Sequence, residues 1–247
     1  MLEFFYIGLV SAGFFFVGFL ITAVFLPNVS VSIGKTSVSG GLKLAIQDKS
    51  FVTFLILMMG FWFMAVQIVV ALPLQVKSLT QSDSSVGILL TVNALTGLFF
   101  QIPLINIAKR YLEPLQMLAG GVLAMAVSFG GVAVVTSGWQ LYGVIVIFAL
   151  GTVLVLPNLQ TVIATMANPQ ARGAYMGVSA LSIAFGGGLG QILGGSMIAF
   201  ATQMNLPSAP WVVSAFVGLL SALGLRIFYL QRETAVKIEK RISFSGD

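Results

Sequence analysis

The chain has 247 residues, of which 58% are hydrophobic and only 8% are charged, and its mean hydropathy is +1.04. A soluble domain carries about a quarter charged residues, so the composition excludes an ordinary soluble protein and predicts an all-α polytopic membrane protein. Cysteine and histidine are absent, which excludes disulfides, thiolate nucleophiles, imidazole bases and the commonest zinc ligands. We therefore expect no enzymatic activity, no catalytic residues, no metal and no cofactor.

Seven apolar runs are long enough to cross a bilayer, because a helix of about twenty residues spans a hydrocarbon core of about 30 Å. The predicted spans are Phe4–Leu26, Phe51–Leu74, Ser85–Ala108, Leu115–Val135, Trp139–Thr161, Tyr175–Phe200 and Pro210–Leu230. The first run has no basic residue in front of it and is longer than the apolar core of a typical signal peptide. It is therefore interpreted as a mature transmembrane helix.

The connection at residues 27–50 is the one long connection between predicted spans. It is predicted to be a flexible cytoplasmic linker that ends in a short amphipathic helix, running from Leu42 to Lys49. The predicted organisation is a first transmembrane helix at 1–26, the linker at 27–50, a compact group of six helices at 51–230 and a cytoplasmic tail at 231–247. A six-helix group behind a linker suggests that the chain begins partway through a larger architecture.

Polar side chains are few inside the predicted spans, and the main ones are Gln67 in the second, Asn93 in the third and Gln191 in the sixth. Such groups either hydrogen-bond a neighbouring helix or line a recognition cavity, and the sequence leaves both interpretations open. Gln67 is the best cavity candidate, since Phe63 and Met64 fall near its helical face. A pocket of aromatic and methionine side chains with one amide would suit lipophilic or cationic ligands. The alternative is an ordinary packed helix.

Two spans carry a proline in a similar context, Leu72-Pro73 in the second and Leu156-Pro157 in the fifth. The similarity of these two segments fits an inverted repeat, in which the first three of the six helices are related to the last three. It also fits a chance coincidence. Proline removes a backbone hydrogen bond, so a kink is expected at Pro157. The kink would either free a carbonyl for a substrate, an ion or water beside Asn158, or serve helix packing alone.

Glycines recur every four residues in the sixth span, at Gly186, Gly190 and Gly194. They therefore line one face of a helix and let a neighbouring backbone approach closely. Static packing is favoured over a direct ligand role for this face, and in a transporter the same smooth face also permits helices to slide. Pro157 belongs with these glycines as a candidate for packing or gating.

The basic residues are distributed asymmetrically about the predicted spans. Eleven of the twelve fall in, or at the edge of, alternate connections and the C-terminal tail, and Lys77 alone lies opposite. The positive-inside rule therefore predicts an N-terminus outside and a C-terminus in the cytoplasm. This orientation explains the net charge of +5, and no nucleic-acid partner is expected, because the basic residues are spread thinly without interleaved aromatics.

The acidic residues all sit at span edges, in loops or in the tail. They are Glu3, Asp48, Asp83, Glu113, Glu233, Glu239 and Asp247. Proton-coupled carriers usually need a buried carboxylate that titrates between two states. The chain therefore contains no obvious proton-coupling group.

Two segments resemble the major facilitator superfamily. The stretch from Asp48 to Pro73 looks like the start of the family's seventh helix, and Ala167–Gly177, followed by the glycines of the sixth span, is similar to the loop before its eleventh helix and the start of that helix. Together with Pro210-Trp211 opening the last span, the pattern most resembles multidrug-resistance proteins of the drug/proton antiporter branch. The resemblance covers nearly the whole chain.

The resemblance implies two six-helix halves that rock about a central cavity, with the last six spans here as the C-terminal half and the first span as the family's sixth helix. It implies multidrug efflux by alternating access with proton antiport, in a bacterial cytoplasmic (inner) membrane. The implied partners are the lipid bilayer, a lipophilic or cationic small-molecule substrate and a missing N-terminal half. The candidate cavity residues are Phe63, Gln67, Asn93, Asn158 and Gln191.

Two other interpretations compete with a carrier. One is a truncated, transport-incompetent or structural membrane protein, because half a cavity cannot seal alternately unless it dimerises or pairs with another subunit. The other is a heptahelical light-driven pump or receptor. A retinal protein needs a lysine in its last span, where Arg226 is the only charge, so this interpretation is disfavoured.

Overall fold

The structure, a computed structural model, describes residues 2–25 and 38–244. Within these ranges every regular element is a helix, and seven helical segments are long and apolar enough to cross a membrane. The predicted all-α polytopic fold is therefore confirmed. The first part of the predicted linker, at 27–37, and the end of the predicted tail, at 245–247, lie outside the described residues.

The α-helices follow one another along the chain as α1 Leu2–Phe25, α2 Val38–Gln47, α3 Lys49–Ala65, α4 Ala71–Thr80, α5 Ser84–Ala108, α6 Pro114–Val132, α7 Gly138–Met166, α8 Arg172–Ser182, α9 Gly188–Gln203 and α10 Ala209–Phe244. A 3-10 turn, Val66–Ile68, precedes α4, and a π-helical turn, Ile183–Gly187, joins α8 to α9. The second and sixth spans are therefore each built from two helices with an irregular turn between them.

The chain divides into two compact units, Met1–Lys35 and Thr36–Asp247. The described part of the first unit is α1, whose described side chains are all exposed, including Phe14 and Phe15. An apolar helix of this kind suits surroundings of lipid or other membrane helices, since its backbone hydrogen bonds are made within the helix. The second unit holds α2 and the other six spans.

The break in the second span has its cause in Pro73. Proline has no amide hydrogen, and its ring clashes with the carbonyl four residues earlier, here that of Val69. The helix restarts at Ala71, which puts Pro73 in the first turn of α4, where no intrahelical donor is needed. The fifth span differs, because α7 is assigned as one unbroken helix with Pro157 inside it. The kink at Pro157 therefore stays a prediction.

The backbones of α6 and α7 touch at two glycines. A Cβ added to Gly121 would lie 2.6 Å from the carbonyl oxygen of Gly151, and one added to Gly151 would lie 2.7 Å from that of Gly121. Aromatic rings extend this core to α10, because Phe129 of α6 stacks on Trp211 with centroids 6.2 Å apart, and meets Phe148 of α7 edge to face. α6, α7 and α10 thus form the best-packed part of the unit.

One side of α3 packs against α10. Gly60 faces Ser221, whose hydroxyl donates a hydrogen bond to the carbonyl of Leu57. Further along, the rings of Phe54 and Phe228 have centroids 6.2 Å apart. α3 also contacts the π-helical turn and α9, so it lies between α10 and the sixth span.

The amphipathic helix predicted from Leu42 is longer at its start, since α2 begins at Val38 and ends at Gln47. Serine and glycine at 39–41 extend it, and Gly41 is buried against the first turn of α8. Asp48 directly follows α2 and is the N-cap of α3. α2 is therefore attached to the six-helix group and is not a free linker segment.

The last helix is longer than the predicted span, which ends at Leu230. α10 has 36 residues, a length of about 54 Å at about 1.5 Å per residue, whereas the hydrocarbon core is about 30 Å thick. Where it passes the predicted boundary, Arg226 lies over the ring of Tyr229 and Arg232 lies over that of Phe228, at 5.8 and 5.7 Å from the ring centroids. The predicted tail therefore starts as a continuation of the helix.

Two adjacent glycines of α6 provide a matched test of the helix contact. Gly121→Ala is expected to lower the free energy of unfolding by about 1–3 kcal/mol, because the new methyl group collides with the backbone of α7. Gly120→Ala is the control, since a Cβ there meets no atom within 4 Å and gains the same helix propensity. Thermal unfolding of the purified variants in detergent measures the difference, and equal midpoints for the two variants would contradict the contact.

Candidate functional site

The sixth span lies against α3 along a row of glycines, the glycine seam, which consists of Gly186, Gly190 and Gly194. A Cβ at Gly186 would collide with the backbone of Met59, and one at Gly190 would lie 2.8 Å from the carbonyl oxygen of Phe63. A Cβ at Gly194 would collide with the side-chain amide of Gln67. The three partners are also four residues apart, so the two spans meet turn by turn. The side chains of Val66 and Gln67 fill the space left by Gly190 and Gly194.

Gln67 crosses the seam with a hydrogen bond. Its side chain is 1% exposed, and Nε2 donates to the carbonyl oxygens of Phe63 and Gly190, both at 2.9 Å. Oε1 is buried and has no hydrogen-bond partner among the described residues. An unpaired buried acceptor costs free energy, so the amide is only partly satisfied by helix packing.

A cleft of about 470 Å³ opens beside the seam, between the second span and the sixth. Its lining, which we call the α3–α9 cleft, consists of Trp62, Ala65, Val66, Ile183, Ala184, Gly187, Gly188 and Gln191. Val66 begins the 3-10 turn, and Ile183, Ala184 and Gly187 belong to the π-helical turn. Irregular turns inside helices often occur at functional sites, and here one forms part of each wall.

The lining of the cleft is apolar except for two side chains that can hydrogen-bond. The indole nitrogen of Trp62 is a buried donor without a partner among the described residues, and the amide of Gln191 is exposed. No charged residue is among the lining side chains. An indole offers an apolar face, an attraction for cations and one N–H donor, so the lining suits a lipophilic molecule that carries an acceptor or a positive charge.

A second hollow, of about 760 Å³, lies between the end of α7 and the start of α8. It is more polar, and its lining residues are Gln160, Thr161, Ala164, Thr165, Ala167, Pro169, Arg172 and Met176. In the predicted orientation this is the cytoplasmic end of the two spans. The hollow is wide and open to the surface, so it resembles the mouth of a passage more than an enclosed site.

Three of the five predicted cavity residues come together at the α3–α9 contact. Gln191 lines the cleft, Gln67 lies behind its wall in the seam, and the ring of Phe63 is buried at 7% exposure. Trp62, which sequence reasoning did not include, lines the cleft next to Phe63. The sequence contained one indication of its role, because an indole N–H in the middle of a span needs an acceptor. The residues of the sixth span that complete the lining lie more than a hundred positions later in the chain, so the cleft itself could not be predicted.

The other two cavity candidates lie elsewhere. Asn158 is 3% exposed, and its amide donates to the carbonyl of Leu154 at 2.7 Å and approaches the sulfur of Met117 at 3.6 Å. Asn93 is on α5, and its Oδ1 is buried without a partner among the described residues. Contact of these five residues with a substrate stays a prediction, and so does gating by Pro157 or the glycine seam.

A double-mutant cycle tests the seam. Gly194→Ala is expected to lower the free energy of unfolding by about 1–3 kcal/mol, because the added methyl group collides with Gln67. In a Gln67→Ala background the same change should cost less, with a coupling of roughly 0.5–3 kcal/mol. Gly195→Ala is the control, since its Cβ meets no atom within 4 Å. Equal costs of Gly194→Ala in both backgrounds, measured by thermal unfolding, would show that the collision is absent.

Comparison with known proteins agrees with this architecture. Residues 50–244 match the model of the Major Facilitator Superfamily. The chain is 32% identical over 216 residues to the multidrug resistance protein MdtH of Proteus mirabilis (strain HI4320), which covers 87% of this chain and 54% of that relative. It is 30% identical over 223 residues to MdtH of Photorhabdus laumondii, covering 90% of this chain and 56% of the relative.

MdtH of Escherichia coli (strain SMS-3-5 / SECEC) is a further relative, 30% identical over 216 residues. The chain therefore spans about half the length of the curated relatives it matches, and the match covers their C-terminal portion. The similarity to multidrug-resistance proteins of this type confirms the resemblance seen in the sequence. Because the family model matches residues 50–244, which hold six of the candidate spans, the chain belongs to the Major Facilitator Superfamily.

Proposed function

We propose that the chain forms the C-terminal half of a multidrug efflux carrier, which exports lipophilic or cationic molecules across a bacterial inner membrane by alternating access. The observation that carries the proposal is the α3–α9 cleft, an apolar recess with an unpaired indole N–H between two irregular turns. Relatives of this chain carry the name multidrug resistance protein, which supports a substrate of this class.

The recess supports broad rather than narrow recognition. Its walls offer contact area and few fixed polar groups, so ligands of different shapes lose little when one hydrogen bond is absent. The indole of Trp62 would stack on a flat or cationic ligand and donate its N–H to an acceptor where the ligand has one. Gln191 would supply an adaptable amide at the rim.

Alternating access requires that helices shift without losing their packing. The glycine seam supports such movement, because the sixth span presents no side chains of its own there, and the hydrogen bond from Gln67 to Gly190 is the side-chain bond that a small slide would have to exchange. The 3-10 turn and the π-helical turn beside it supply backbone that is not in a continuous α-helical hydrogen-bond ladder. We propose that these turns are where the second and sixth spans bend during transport.

Proton antiport would need a carboxylate that titrates within the membrane. The acidic residues of this chain sit at span edges, in loops or in the tail. We therefore assign the coupling carboxylate to an N-terminal half, which together with this chain would complete the length of the relatives. In the proposed orientation, the N-terminus lies outside and the C-terminus in the cytoplasm, as the basic residues predict.

A second candidate is a truncated, transport-incompetent or structural membrane protein. A carrier needs two halves that close over the substrate from alternate sides. The two candidates differ in a measurable way, since only the first gives transport when a matching half is supplied.

Dye efflux separates the two candidates. Bacterial cells lacking their main efflux pumps would express the chain alone and together with the N-terminal half of the Proteus mirabilis relative. We expect efflux of a lipophilic cationic dye when both halves are present, and loss of efflux when an uncoupler collapses the proton gradient. Dye retention equal to that of empty-vector cells under both conditions would leave the truncated candidate.

A conservative variant then links efflux to the cleft. Trp62→Phe keeps an aromatic ring and removes the N–H, so efflux of acceptor-bearing dyes should fall by about twofold to tenfold, the range expected for one hydrogen bond. Trp139→Phe is the control, because that side chain is 85% exposed at the start of α7. If the Trp62→Phe variant exports these dyes as well as the Trp139→Phe control does, the indole N–H of Trp62 takes no part in substrate recognition.

A further inference from the structure

One face of α2 is fixed to the six-helix group. Gly41 is buried, and a Cβ added there would lie 3.1 Å from the Cβ of Ala174 and 3.6 Å from that of Ala171. One turn later, Ala45 is fully buried. These small residues let α2 lie directly on the start of α8.

The end of α2 is fixed by Asp48, the only residue between α2 and α3. One carboxylate oxygen accepts the backbone N–H of Phe51, and the other accepts the hydroxyl of Tyr175, both at 3.0 Å. The rings of Phe51 and Tyr175 are also in contact, with centroids 4.6 Å apart. α2 is thus held beside the starts of the second and sixth spans, and the predicted limits of these spans put this level at the edge of the hydrocarbon core.

The remaining surface of α2 is apolar and basic. Leu42 is 42% exposed and Ile46 is 54% exposed, and these two side chains are one turn apart on the same side of the helix. Lys43 on α2 and Lys49, the first residue of α3, are also exposed. In water this arrangement leaves apolar area unpaired, whereas at a bilayer surface the apolar side chains enter the acyl boundary and the ammonium groups stay among the headgroups.

The charge around this surface favours anionic lipid. Asp48, which accepts hydrogen bonds from Tyr175 and the start of α3, contributes one negative charge, whereas Lys43 and Lys49 contribute two positive charges. Arg172, at the start of α8, is exposed and adds to the positive charge at this end of the spans. An anionic leaflet attracts basic residues that lie close to it.

We propose that the exposed face of α2 is a membrane-surface site that selects anionic phospholipid, with Leu42 and Ile46 in the acyl boundary and Lys43 and Lys49 on the headgroup phosphates. The occupant follows from continuity, because α2 leads within one residue into a membrane span and packs on the first turn of another. This inference does not depend on what the α3–α9 cleft binds.

A site-specific quenching experiment tests the proposal, since the chain has no native cysteine. The full chain with Ile46→Cys would carry a fluorescent nitrobenzoxadiazole probe and be placed in lipid nanodiscs. Spin-labelled phosphatidylglycerol should quench the probe about fivefold more than spin-labelled phosphatidylcholine at the same mole fraction, the factor expected for one lysine near an anionic surface. A water-soluble nitroxide should quench it weakly.

Two charge variants separate a local effect from a general one. Lys43→Gln with Lys49→Gln should bring the two lipid quenchers to equal strength, while Lys109→Gln, which removes an exposed lysine at the end of α5, should keep the preference. Stronger quenching by the water-soluble nitroxide would overturn the proposal, because the face would then be in water. Weak quenching by every reagent would also overturn it, since protein would then cover the face. Equal quenching by the two lipids in the labelled chain that keeps Lys43 and Lys49 would overturn it as well.

Discussion

The close approach of α3 and the sixth span along the glycine seam is the contact on which the cleft depends. In a bilayer, apolar side chains gain little by leaving lipid, so helices associate through packing and interhelical hydrogen bonds. Gly186 and Gly190 bring the backbones together, and Gly194 leaves room for the side chain of Gln67. The amide of Gln67 adds a hydrogen bond to the carbonyl of Gly190 across the contact. The two irregular turns lie next to this contact, and the cleft lies between them.

α3 connects this contact to α8 and α10. Asp48 caps it at one end and binds Tyr175 of α8, while Ser221 of α10 donates to the carbonyl of Leu57 midway along it. The sixth span therefore meets α3 both through Tyr175 and through the seam. A shift of the sixth span must break these contacts or carry α3 with it, which couples the end of the bundle to the wall of the cleft.

The sequence predicted the spans well, because a long apolar run in lipid satisfies its backbone by forming a helix. It predicted less about where those helices would break. Pro73 interrupts the second span and Pro157 lies in an unbroken α7, so the residue type alone does not decide the outcome. Neighbouring contacts decide it, and hydropathy contains no information about neighbours.

The same limit applies to the candidate site. The spacing of Gly186, Gly190 and Gly194 predicted a smooth helix face, but it could not predict that α3 would be the partner. Gln67 was open to two interpretations in the sequence, and its burial between the spans, with one amide atom bonded and the other unpaired, depends on that partner. Trp62 gained its importance only from the α9 residues that face it.

The most direct test of the account is the distance between α3 and α9. Spin labels at Ile56 and Ile192, which are 57% and 71% exposed, would report this distance by pulsed electron paramagnetic resonance in lipid nanodiscs. The account predicts a longer distance in Gly190→Leu, because the side chain must separate the two backbones, and no change in Gly195→Leu, which points into open space. Equal distances in the two variants would contradict the claim that the glycine seam holds the spans together.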